Sequence, residues 1–210
     1  MEQLQRTNDM KQEDSRRDGG GCCECSEDRF SETEQVKLYS RAELEDYANS
    51  VRLRIANKNG EFFRNKNWQL SSIVLDEFLS AAKERFWVFC GHLCKKVYEP
   101  LMTSFMLAKA RGVDIRVVTA STELEAQDLA KWLSEHKMLR HCGVEGIPHF
   151  VLAGGNTENG ATNSMYRLEI DDVCKTAVIC ACVEDNKDAQ DTAKSMELVH
   201  KRMWQQSSEI

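Results

Sequence analysis

Few side chains in this 210-residue chain are of a type and spacing that could do chemistry together. His149 opens the apolar run FVLAGG, and an imidazole can act as a nucleophile, a general base or a hydrogen-bond partner at neutral pH. His92 follows FWVFCG, at the end of a strand-like stretch, which is the edge where open α/β sheets bind ligands. Arg167 and Glu169 alternate in SMYRLEI, so on a strand they share a face and can pair with each other or reach a neighbouring strand. Lys95 and Lys96, with Lys109, Arg111 and Arg116, form the basic concentration nearest these residues, with Trp87 and Tyr98 close in sequence. His92, Lys95, Lys96, Arg167 and Glu169 are therefore the ligand- or phosphate-binding candidates, and His149 is the catalytic candidate.

Each of these residues also has a bland counterpart. A histidine opening a buried strand can simply hydrogen-bond to backbone, a strand-end histidine can be solvent-exposed, and an Arg/Glu alternation is commonly a structural ion pair. Lysines normally cover exposed helix faces. One carboxylate also lacks the second that glycosidic chemistry needs. The chain has no Gly-rich phosphate loop, no Gly-x-Ser-x-Gly elbow and no paired Cys/His nucleophile.

Nine cysteines occur, at 22, 23, 25, 90, 94, 142, 174, 180 and 182. Their odd number, without a secretion signal, argues for reduced thiols, and Cys180 and Cys182 alternate along an apolar run as small core residues would. Cys22, Cys23 and Cys25, and the Cys90-x-His92-x-Cys94 group, are soft-ligand types, but neither has the two-residue gap of a zinc knuckle. No metal and no cofactor is expected.

The elements that must position these residues are legible from periodicity. Residues 1–37 are polar and Gly-rich, and read as a flexible tail; 38–68 hold a helix and a connector; 69–206 form the α/β domain. SRAELEDYANSVRLRIAN carries Leu44, Tyr47, Ala48, Val51 and Ile55 at helical spacing, and Ser40 with Glu43 makes a capping box. WQLSSIVLDEFLSAAKERF predicts a second helix, FWVFC a buried strand, EPLMTSFMLAKARG a helix with Pro100 near its start and Gly112 past its end, and VDIRVVTA a second strand. STELEAQDLAKWLSEHKML predicts a helix capped by Ser121 or Thr122. Strands IPHFVLAGG, SMYRLEI and TAVICACV follow. A closing helix buries Ala189, Ala193, Met196, Val199 and Met203. The expected architecture is α/β, a mixed, mostly parallel sheet with helices on both faces.

That element order resembles one module of the phospholipase D-like superfamily over most of residues 70–204. The resemblance rests on AKARGVDIRVVTA, on the His149 strand, and on a terminal helix ending in Trp204. Active members carry His-x-Lys-x4-Asp, in which the histidine attacks phosphorus, the lysine holds the phosphate and the aspartate supports the site. Aligned on His149, Val151 stands at the lysine position and Asn156 at the aspartate position. The Gly-Ser-x-x-x-Asn stretch of active members has no counterpart in SMYRLEI. The resemblance further implies a homodimer, because single modules pair to bring two histidines together.

Composition narrows the function classes. A net charge of −6 disfavours a polyanion on average, and no apolar run approaches the roughly 20 residues that span a bilayer. The polar start has no apolar signal core, so the expected compartment is the cytoplasm. The leading reading is a non-catalytic interaction or regulatory module, dimeric and with a protein partner. The alternatives are a nucleic-acid-binding protein that does not cleave, and a weak or altered phosphodiesterase or nuclease built on His149.

Overall fold

The computed structural model describes residues 38–57, 63–65, 67–144, 146–154, 164–171, 176–181 and 186–210. Among the described residues, eight strands form one sheet, in the order β1-β7-β6-β5-β2-β3-β4-β8. The strands are β1 (Phe63–Asn65), β2 (Arg85–Cys90), β3 (Asp114–Thr119), β4 (Leu139–His141), β5 (Phe150–Gly154), β6 (Ser164–Asp171), β7 (Thr176–Ala181) and β8 (Ser208–Glu209). The helices are α1 (Arg41–Ala56), α2 (Trp68–Ala81), α3 (Lys95–Tyr98), α4 (Met102–Ala110), α5 (Gln127–Glu135) and α6 (Lys187–Gln206), with a 3-10 turn at Glu99–Leu101.

The local signals explain most of these boundaries. Ser40 and Glu43 exchange the two hydrogen bonds of a capping box at the start of α1. Asn67 caps α2 through its side chain. Gly112 takes a φ of +83° just beyond α4, a conformation that turns the chain into β3 and that a residue with a Cβ adopts only with strain.

Each strand of the sheet centre is buried on both faces, which is why β2 reads as an unbroken apolar and aromatic run. Phe86, Val88 and Cys90 face the larger core under α1, α2, α4 and α5, while Trp87 and Phe89 face the core under α6. Val51 of α1 is fully buried within that larger core.

The mixed sheet with helices on both faces is as expected, but the predominance of parallel pairing is not. Only β2/β3 and β3/β4 are parallel; β1/β7, β2/β5, β4/β8, β5/β6 and β6/β7 are antiparallel. The cause is connection length: nine positions separate β5 from β6 and four separate β6 from β7, whereas parallel neighbours need a crossover of about a dozen residues or more.

Other local expectations are also corrected. α5 begins at Gln127, because Ala126 donates to the Leu93 carbonyl and Ser121 instead closes a turn by accepting from the Glu123 amide. α5 stops where Lys137 adopts a φ of 58°, and Leu139, the last residue of the expected helix, instead opens β4. On α6 the buried stripe runs Ala189, Ala193, Met196, His200, Met203, while Val199 is 38% exposed. Cys90 and Cys142 carry free thiols, but Cys94 is disulfide-bonded, so the expectation of reduced thiols fails there. Cys22, Cys23, Cys25, Cys174 and Cys182 lie outside the described residues. Among the described residues, no helix is long and apolar enough to cross a membrane.

Candidate functional site

The sheet topology gathers the candidate residues at one edge. β5 runs antiparallel to both β2 and β6, so its first residues lie beside the last residues of each. The register pairs Phe150 with Leu168, which sets His149 across from Glu169, and the Glu169 amide donates to the His149 carbonyl at 3.0 Å. His149, the strand end at Cys90-Gly91, and Glu169 therefore meet because of strand direction, although 79 positions separate the two strand ends from Cys90 to Glu169.

The side chains continue that alignment. His149 Nδ1 lies 3.0 Å from Glu169 Oε2, and Arg167 holds the other carboxylate oxygen at 3.0 Å. The second terminal nitrogen of Arg167 donates to the Ser71 hydroxyl of α2 at 3.0 Å. His149 is 31% exposed at its side chain, Glu169 13% and Arg167 7%, so the chain of contacts runs from the surface into the protein.

The charge state of this chain follows from its neighbours. Burial alone would raise the Glu169 pKa, but the hydrogen bond from His149 and the charge of Arg167 outweigh it and lower it to about 2. An ionised carboxylate only accepts hydrogen bonds, so His149 Nδ1 carries the proton shared with it. A neutral ring in this orientation has its lone pair on Nε2. That atom faces Gly91: a Cβ at position 91 would stand 2.9 Å from Nε2 and 3.1 Å from Cε1. Glycine is required here by close approach.

Two tyrosines border the network. Burial holds the Tyr98 hydroxyl well above its ordinary pKa, with the Cys90 thiol, Arg167 and Glu169 nearby; the phenol is hydrogen-bonded to Cys90. Burial likewise raises Tyr47 of α1, against the opposing charge of Arg167. Both stay neutral phenols across ordinary pH.

The other candidates are placed differently. His92 is 9% exposed, and its Nε2 lies 3.4 Å from Glu125, whose second oxygen accepts from the Lys95 amide at 3.2 Å. Lys95 is exposed and Lys96 half-buried on the four-residue α3. The remaining basic residues do not join them. Lys109 lies over Trp132, Arg111 bonds the Leu79 carbonyl, and Arg116 is sandwiched between Trp87 and Trp204 on the α6 face. The single basic concentration suggested by sequence is thus divided among three surfaces. Cys90-x-His92-x-Cys94 does not converge either: among the described residues no three His, Cys, Asp or Glu side chains come together to hold a metal.

Chemically, the edge offers an oriented imidazole and, among the described residues, little positive charge to go with it. Val151, two residues after His149, is 2% exposed and packs in the core. Its cross-strand partner is Arg167, whose charge is already engaged by Glu169. Asn156 lies outside the described residues. Sequence reading found His149, Arg167 and Glu169 but passed over Ser71, Gly91 and Glu125. A serine on an otherwise apolar helix face and a glycine directly after a buried strand were the available signals.

No protein-family model matches this chain, and no curated sequence is recognisably similar to it. Among solved structures, the chain is similar to TrmBL2, an archaeal chromatin protein described as showing a novel mode of DNA binding. That likeness has a TM-score of 0.52 at 12% identity and covers 80% of this chain and 62% of that one, so this chain spans less than two thirds of TrmBL2. It is also similar to Nuc, a phospholipase D family member from Salmonella typhimurium, with a TM-score of 0.42 at 14% identity, covering 71% of this chain and 99% of that one. At such identities the first likeness speaks to fold alone.

Proposed function

We propose that this chain is a non-catalytic recognition module on a phospholipase D-like scaffold, whose edge around His149 engages a partner or regulatory ligand without cleaving it. The observation that carries this reading is the fate of the cation. Transfer at phosphorus builds up negative charge that a preorganised positive group must stabilise, and the loss of one such stabiliser costs about 2.7–4 kcal/mol, a rate factor of roughly 100 to 1,000. Val151 occupies the position two residues beyond the histidine and is packed in the core, and Arg167 opposite it is bound to Glu169 and Ser71. The imidazole keeps its carboxylate partner and so remains an oriented hydrogen-bonding group. The test is turnover of a phosphodiester substrate by the wild-type chain against His149→Ala: equal rates are expected, and turnover that disappears in the variant removes the reading.

A homodimer belongs to the same proposal, and a monomer by light scattering at high concentration contradicts it. Nucleic-acid binding without cleavage is a second reading. The fold likeness to a DNA-binding chromatin protein favours it, while the division of the basic residues among three surfaces weakens it.

A further inference from the structure

We propose that Arg167 is a positioning residue for His149: it holds the Glu169 carboxylate against Nδ1 and thereby fixes which ring nitrogen carries the proton. The inference deepens the recognition reading, since it takes the His149 edge as the docking site.

Glu169 divides its two oxygens, Oε2 to His149 Nδ1 and Oε1 to Arg167, both at 3.0 Å. One carboxylate orientation satisfies both partners, so the guanidinium sets the plane in which the imidazole is held. Arg167 is itself fixed from the opposite side by the Ser71 hydroxyl at 3.0 Å, which ties the arrangement to α2 rather than to the sheet alone. Gly91 leaves the space against which the Nε2 side of the ring rests. The groups facing the pair from the surrounding elements are Tyr98 of α3, Cys90 of β2 and Tyr47 of α1, and the two phenols are neutral. Arg167 is therefore the positive charge that the surroundings place against Glu169 from within the core. Without it, the carboxylate loses an ion pair and a hydrogen bond that fix its orientation and is free to turn away from Nδ1, leaving the ring without the partner that selects its form.

The experiment is NMR of ring-nitrogen-labelled and carboxyl-labelled full chain, comparing wild type with Arg167→Met, Arg167→Lys and Ser71→Ala. In the wild type the neutral His149 ring is expected with Nδ1 protonated in at least about tenfold excess. Arg167→Met is expected to bring the two ring forms to comparable populations and to move the Glu169 titration midpoint upward, with Arg167→Lys restoring most of both and Ser71→Ala falling between. If Arg167→Met does not fold, Arg167→Lys and Ser71→Ala carry the same readouts, and a shift in the expected order sustains the inference. A merely structural Arg167 would lower the melting temperature while leaving the ring form and the Glu169 midpoint at wild-type values, and that result overturns it. No ligand is needed, so phosphodiester turnover would remove the recognition reading and leave this inference standing.

Discussion

Replacing His200 with phenylalanine should remove most of the acid sensitivity of the fold between pH 6.5 and 4.5. His200 is fully buried on α6, with its ring stacked on Trp87 at 5.0 Å and on Trp204 at 6.3 Å between centroids, and its Nε2 donates to the Val88 carbonyl of the central strand at 3.1 Å. Burial is the main cause that lowers its pKa to about 3; the hydrogen bond to Val88 opposes this, and the nearby Arg116 and Arg85 reinforce it. A histidine depressed from 6.5 to about 3 corresponds to an upper limit of about 4–5 kcal/mol between the fully neutral and fully protonated limits. The unfolded chain takes up this proton below pH 6.5 and the folded chain does not, so stability is complete above pH 6.5 and declines as pH falls toward 3. The slope approaches about 1.4 kcal/mol per pH unit, set against a typical total of about 5–15 kcal/mol. Glu169 does not contribute in this window, because its own loss runs from about 4.5 down to about 2. The assay is urea unfolding at half-unit steps from pH 7 to 4.5. His200→Phe, which retains the stacking, should show a slope shallower by close to one proton. Parallel curves for the two proteins would refute the reasoning.

The other expectations concern the edge, the α6 face and nucleic acid. Gly91→Ala places a methyl group 2.9 Å from His149 Nε2, so the ring must move and the contact with Glu169 should loosen, at a stability cost of about 1–3 kcal/mol; unchanged His149 ring resonances would contradict this. Arg85 and Glu197 form an ion pair with both side chains about 95% buried, so Glu197→Ala, which removes the carboxylate paired with Arg85, should lower unfolding free energy by roughly 3–5 kcal/mol in denaturant titration. Any DNA binding should weaken steeply with salt, by a log–log slope of about −0.9 for each phosphate neutralised, and salt-insensitive retardation in a gel would count against that reading.

What the sequence revealed depended on whether a signal was local. The capping box of α1, the glycine after α4 and the unbroken FWVFC strand are decided within a few residues, and they stand where periodicity puts them. β4 was hidden because the helical reading runs through Lys137 to Leu139, and only the left-handed turn at Lys137 ends the helix before the strand. On α6 an apolar criterion selects Val199, whereas the face that meets the sheet carries His200, a polar residue accommodated by two tryptophans and a carbonyl. The pairing of Arg167 with Glu169 was legible from strand alternation. Their meeting with His149 and Ser71 was not, since it depends on strand order and on a helix from another part of the chain. The basic residues misled for the same reason: nearness in sequence put Lys95, Lys109 and Arg116 together, and the alternation of strand and helix separates them.

The central claim, that the His149 edge recognises without cleaving, is tested most directly by kcat/KM on bis(p-nitrophenyl) phosphate and on a single-stranded oligonucleotide, for wild type and His149→Ala purified side by side. The account predicts equal values for both proteins at the level of the buffer blank. A wild-type rate well above that of His149→Ala, reproducible across preparations, would show that the oriented imidazole works without a lysine beside it and would contradict the account.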